Sequence, residues 1–167
     1  RRVDLVAGTI SQVIGAAAEM PDPDPSLDSD PDSLVAALAQ AGRAAQAELA
    51  QLGPDRRKAA LRAAAKALKA QESAILAANA EDMASGEARG LSGAMLDRLR
   101  LDPGRLAGIA DAVAAVADLP DPVGQEIDRT ERPNGLVLTR VRVPIGLIGI
   151  IYESRPNVTA DAAALCL

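Results

Sequence analysis

Within eight residues, Tyr152 to Thr159 (YESRPNVT), the chain lines up a phenol, a carboxylate, a guanidinium and a carboxamide. Aromatic and thiol chemistry is otherwise scarce: there is no His, Trp or Phe, one Tyr and one Cys. A carboxamide N–H beside a helix start, here Asn157, can donate to a developing oxyanion. A guanidinium, here Arg155, can grip a carboxylate or phosphate at two points. A plain turn with a helix cap and a surface ion pair would use the same residues, so position alone does not decide between them. Cys166 invites a reading as a nucleophile. It lies about two turns into the expected last helix, among Ala and Leu, with no His to act as its base, and reads better as a buried structural thiol. Tyr152 suits a general acid or, more simply, a packing ring at a strand end.

The elements that position this segment follow from periodicity. Val143 to Ile151 (VPIGLIGII) is a short, Ile-containing apolar run, the pattern of a strand buried on both faces. Its Gly146 and Gly149 have neither the spacing nor the place of a dinucleotide fingerprint, and suit close packing of a helix on a sheet. After the loop, Thr159 can cap a last helix with Asp161 in its first turn. Strand, loop and helix make the first half of a parallel βαβ unit, and open α/β sheets bind ligands beyond the carboxyl ends of their strands.

Upstream, Leu34, Leu38, Ala41, Ala45, Leu49 and Leu52 recur at helical spacing from Ser33 onward, until Gly53-Pro54 breaks the pattern. Leu61, Leu68 and Ile75 mark a second helix, opened by Asp55 and running to about Met83, with Lys and Arg on its solvated side. Gly86 to Gly93 reads as a flexible link, and MLDRLRL, Met95 to Leu101, as a short helix. Asp102-Pro103 is a start signal, with Asp as N-cap and Pro in the first turn. Leu106, Ile109, Val113 and Val116 then mark the buried face of a third long helix, ended by Pro120 and Pro122. From about 123 to 143 the period becomes two, and Asn134-Gly135 between alternating segments signals a hairpin. Neither face of that ribbon is fully apolar, which predicts a half-exposed ribbon open to pairing with another chain.

A length of 167 residues suffices for one domain with a core. The net charge of −5 argues against a nucleic-acid partner, which would call for a basic face. One Cys gives no disulfide framework and, with no His, no zinc site of the usual ligands is expected. No apolar run approaches the roughly 20 residues that span a bilayer. Val3 to Ala18 follows two Arg and faintly has the form of a signal peptide, but Asp4 interrupts it. Met20 precedes a Pro/Asp-rich stretch, Pro21 to Asp32, that has no apolar period. Residues 1–32 are therefore expected to be a disordered or non-native extension, with Met20 as a natural start.

VPIGLIGIIYESRPNVTADAAALCL resembles the segment leading into the nucleotide-binding sheet of the γ-glutamyl phosphate reductase (glutamate-5-semialdehyde dehydrogenase) family. ILAANAEDM (Ile75–Met83), MLDRLRL, DPVGQ (Asp121–Gln125) and RPNGL (Arg132–Leu136) extend the resemblance over about residues 33–167. The pattern Pro144, Gly146, Gly149, Ile151 is similar to that of the wider aldehyde dehydrogenase superfamily. The resemblance implies an α/β fold: N-terminal helices, a β-hairpin ribbon, and the first strand-loop-helix of a Rossmann-type domain, truncated. Residues 33–167 would then be an incomplete nucleotide-binding domain, whose ribbon resembles the superfamily's oligomerisation ribbon and implies a homo-oligomer.

The implied reaction is reduction of γ-glutamyl phosphate with NADPH to glutamate 5-semialdehyde and phosphate, in cytoplasmic proline biosynthesis. A Cys thiolate forms a thioester that hydride resolves. Asn157 is the implied oxyanion donor. Tyr152, Glu153, Ser154, Arg155 and Pro156 would line the nicotinamide end of the cofactor, and Arg155 and Asn157 would meet the small-molecule substrate. Family members are much longer, and their nucleophilic Cys has no match here, Cys166 included, so the isolated chain is expected to be inactive. Two alternatives remain at this level: a non-catalytic helical module that pairs through its ribbon, and a reductase of another acyl phosphate.

Overall fold

A computed structural model describes residues 30–152 and 155–167. The expectations for Met20, the signal-like stretch and the tail to residue 29 lie outside the described residues, as do those for Glu153 and Ser154. The elements run α1 (Pro31–Leu49), α2 (Pro54–Ala70), α3 (Glu72–Ala88), α4 (Gly93–Leu99), α5 (Pro103–Val116), β1 (Glu126–Glu131), β2 (Val137–Val141) and α6 (Pro156–Cys166).

The core lies between α2, α5 and α6. Leu61, Ala64, Ala65 and Leu68 of α2 meet Ala110 and Val113 of α5, Ala117 just beyond it, and Ala160 and Ala164 of α6. Small residues at the crossings let helices without aromatic side chains approach closely. The basic side of α2 is not merely solvated. Lys69 reaches Asp111 at 2.7 Å, and Arg62 and Lys58 both reach Asp118, at 2.8 and 3.3 Å. These two cations hold the Asp118 carboxyl below its ordinary value.

The expected second helix is two helices: Gln71 leaves helical geometry (φ −100°, ψ 17°) and separates α2 from α3. The Asp102 start signal works as read, its carboxylate accepting from the Arg105 N–H at 2.7 Å. Ser92 caps α4 in the same way. Two polar seams join the helices. Asn79 is buried, donates to the Leu99 carbonyl at 2.8 Å and accepts from the Leu101 N–H at 2.7 Å. Arg57, also buried, pairs with Asp121 at 2.7 Å, and Asp121 accepts in turn from the Val123 N–H at 2.9 Å. That carboxylate ties the foot of the ribbon to α2.

The ribbon forms where expected. β1 and β2 pair antiparallel with an irregularity between Glu126 and Asp128, and Gly135 takes the positive φ (81°) that its turn needs. Backbone bonds between Arg142 and Gly124–Gln125 extend the pairing close to the expected limits of 123 and 143. The ribbon is exposed on both faces, Thr130 alone being half-buried, rather than half-covered as its pattern predicts.

Two expected burials are corrected. Leu34, Leu38, Ala41 and Ala45 of α1 are exposed. Residues 143–151 form no strand and are not buried: Ile145 is 88 % exposed and Ile151 fully so. A strand buried on both faces requires neighbours on either side, and the two described strands pair only with each other. Gly146, at φ 105°, also departs from any extended geometry, which replaces the reading of helix-on-sheet packing; a Cβ on Gly149 would meet nothing within 4 Å. The run still touches the body through Leu147, whose Cδ1 would lie 2.8 Å from a Cβ placed on Gly42 of α1.

Candidate functional site

Helix α6 carries the candidate site on its first turns. Pro156 sits where a missing N–H costs nothing, and Arg155 precedes it in extended geometry (φ −134°, ψ 91°) with an exposed side chain. The expected cap at Thr159 is thus corrected by four residues, to Arg155: Thr159 lies inside the helix, and Asp161 beyond its first turn. Ala160 and Ala164 are buried in the core with α5, which fixes the helix and leaves Asn157 and Asp161 half-buried.

Two side-chain bonds organise this end. The Asn157 carboxamide donates through Nδ2 to Asp161 Oδ2 at 2.9 Å, one helical turn on. The Tyr152 phenol and the Thr159 hydroxyl are hydrogen-bonded at 2.5 Å, either being able to donate, which fastens the segment before the loop to the helix after it. The structure therefore brings Tyr152, Arg155, Pro156 and Asn157 to one helix end. Sequence reasoning missed Asp161 and Thr159 as the residues holding two of them. The Asn157–Asp161 spacing of four was a readable signal once the helix start was known. The Tyr152–Thr159 pair spans the loop, and no local period announces it.

The chemistry available is that of binding and polarisation. The chain offers a tethered carboxamide, a cation at a helix N-terminus and a partly exposed phenol ring, all suited to an anion or a developing oxyanion. Cys166 is exposed in the last turn of α6, which corrects its reading as a buried thiol. It stands nine positions from Asn157, or about 13 Å along the helix at 1.5 Å per residue. Among the described residues no group of three or more His, Cys, Asp or Glu side chains could hold a metal ion. No described helix is long and apolar enough to cross a membrane. A separate cleft of about 380 Å³, lined by Leu76, Asn79, Met83, Glu87, Arg100 and Leu101 among others, shares no residue with the 152–161 segment.

No family model matches the chain. Among curated proteins, the gamma-glutamyl phosphate reductase of Sphingopyxis alaskensis is 68 % identical over 135 residues, covering 81 % of this chain and 32 % of that protein. The enzyme of the same name from Novosphingobium aromaticivorans is 66 % identical over 134 residues, covering 80 % and 32 %. Among solved structures, the gamma-glutamyl phosphate reductase of Thermotoga maritima matches with a TM-score of 0.73 at 40 % identity, over 76 % of this chain and 31 % of that one. The Saccharomyces cerevisiae enzyme matches with a TM-score of 0.72 at 36 % identity, over 77 % and 33 %. The chain spans about a third of the length of these relatives. The helices and two-stranded ribbon described above are thus part of a known fold, and by sequence and backbone together the chain is similar to the N-terminal part of the gamma-glutamyl phosphate reductases.

Proposed function

We propose that this chain is part of an NADPH-dependent reductase that converts γ-glutamyl phosphate to glutamate 5-semialdehyde and phosphate, a cytoplasmic step of proline biosynthesis. The observation that carries the reading is the agreement of sequence and backbone with enzymes of that name over about four fifths of the chain. Residues 33–167 contribute an incomplete nucleotide-binding domain. The exposed ribbon supports a homo-oligomer, because its edges are open to a second copy.

The residues at the head of α6 fit a nicotinamide. Such a ring needs a flat apolar wall and peptide groups at its edge. Tyr152, 41 % exposed and tethered to Thr159, and the extended backbone at Arg155 offer both. Tyr152, Arg155 and Pro156 would hold it, with Glu153 and Ser154 between them in sequence. When bound, NADPH supplies the hydride. Asn157 donates an N–H to the acyl oxygen as negative charge grows there. Arg155 meets the phosphate or carboxylate of the substrate. The nucleophile is a Cys that these 167 residues do not contain, since Cys166 stands too far from Asn157.

The test is an assay of the proposed full-length protein for acyl-phosphate-dependent NADPH oxidation, with γ-glutamyl, aspartyl and acetyl phosphates compared. Preference for γ-glutamyl phosphate, with the isolated 167-residue chain inactive, is the expected result. Preference for another acyl phosphate would move the substrate. Turnover by the isolated chain would refute the missing nucleophile. Inactivity of the whole product, with a stable complex formed through the ribbon, would favour a non-catalytic interaction module.

A further inference from the structure

We propose that Asp161 is a positioning residue for Asn157: it fixes the carboxamide plane so that one N–H stays aimed at the acyl oxygen. The inference rests on the reading of Asn157 as oxyanion donor. The sequence placed Asp161 only in the first turn of the helix, as a carboxylate suited to its dipole, and the helix start at Pro156 removes that role.

The argument is one of donor accounting. A carboxamide has two N–H donors on one nitrogen and an oxygen acceptor. Unrestrained, it turns about its last torsion through a broad, nearly two-fold well, and its oxygen spends as much time outward as its nitrogen. An outward oxygen would repel an oxyanion. In this structure Nδ2 donates one hydrogen to Asp161 Oδ2 at 2.9 Å. A carboxylate only accepts, so it selects the nitrogen and rejects the flipped amide. The second N–H then has a fixed direction. Both residues are half-buried on a helix anchored in the core by Ala160 and Ala164, so the pair is held on a rigid element.

The test is a double-mutant cycle in the intact enzyme with Asn157→Ala, Asp161→Ala and the combination, together with Asp161→Asn. Asn157→Ala should lower kcat by about a hundredfold, as for loss of one oxyanion donor. Asp161→Ala should lower kcat by about tenfold, with KM within about twofold, because the donor remains but its aim is lost. In the Asn157→Ala background the Asp161→Ala change should have no further effect. Asp161→Asn keeps an acceptor oxygen and should restore most of kcat. Side-chain amide NMR of the intact enzyme without ligands should show Asn157 hydrogens shifted apart by the Asp161 bond and slow to exchange with solvent in the parent, and shifts close to those of a free carboxamide with faster solvent exchange in Asp161→Ala; the two hydrogens stay distinct in both, because rotation about the amide C–N bond is slow. If Asp161→Ala does not fold, Asp161→Leu, with the same branched skeleton and without an acceptor, takes its place in the cycle. Unchanged kcat in the acceptor-less variant, or an equal loss in both backgrounds, would overturn the role of Asp161 while leaving Asn157 as donor. Unchanged kcat in Asn157→Ala would overturn the donor reading itself, and the positioning role with it.

Discussion

The helical body and the apolar run that follows the ribbon are similarly rich in aliphatic residues and behave in opposite ways. Between α2, α5 and α6, Leu61, Leu68, Ala110 and Val113 are all buried, as is Leu106 near the start of α5. Over residues 143–151, Val143, Ile145, Ile148, Ile150 and Ile151 are all exposed. Hydrophobic content does not separate the two. A helix satisfies its own backbone and needs only one face covered, which two neighbouring helices within these residues provide. An apolar strand needs backbone partners at both edges and cover on both faces. The body is complete in this sense and the run is not. The candidate site sits at their junction, with α6 anchored in the body and Tyr152 at the end of the run.

Several substitutions would break or sharpen that contrast. Leu106 is 2 % exposed, and Leu106→Ala should destabilise the chain by about 2–4 kcal/mol, read from urea unfolding. The same truncation at Ile151 should change stability by less than about 0.5 kcal/mol. Comparable losses at the two positions would mean that the run packs after all. Arg57→Ala removes the cation from a pair whose side chains are 11 % and 19 % exposed. A cost of about 2–3 kcal/mol is expected, with increased amide exchange at Val123 and Gln125, because Asp121 then loses its partner at the foot of the ribbon. Asp102→Ala removes an N-cap acceptor from α5 and should cost about 1 kcal/mol.

The smallest effect concerns pH. Lys58 and Arg62 lower the Asp118 pKa from its ordinary 3.8. A depressed folded-state value contributes stability above the unfolded pKa and loses it as pH falls through the folded one. Asp118→Asn should therefore flatten the stability profile slightly on the acid side of about pH 4, and salt should erase the difference, because the group is exposed. A profile unchanged by Asp118→Asn in low salt would show that these ion pairs contribute nothing.

The sequence announced those parts of the fold that local chemistry determines. Asp102-Pro103 starts a helix, Asn134-Gly135 turns a hairpin, and Leu106 and Val113 face a core, because each depends on residues within a turn or two. The division of α2 from α3 at Gln71 was hidden, since leucine spacing continues smoothly through it. The exposure of residues 143–151 was hidden for the opposite reason: the pattern describes a strand correctly only where a sheet exists to receive it. At the site, residue types suggested polarisation of an anion, and Asn157 and Arg155 do share a helix end. Of the holding residues, Asp161 became legible only when the helix start moved to Pro156, and Thr159 not even then, because its partner lies across the loop.

The contrast between a closed body and an open run is tested most directly by hydrogen–deuterium exchange, followed by mass spectrometry, on the isolated chain and on the full-length reductase proposed above. In the isolated chain, peptides from α2 and α5 should be protected while residues 143–151 exchange at nearly the rate of an unfolded peptide. In the proposed full-length reductase, that run should become as protected as the helices, as a strand received into a sheet would be. Strong protection of residues 143–151 in the isolated chain, or free exchange in both, would contradict the account.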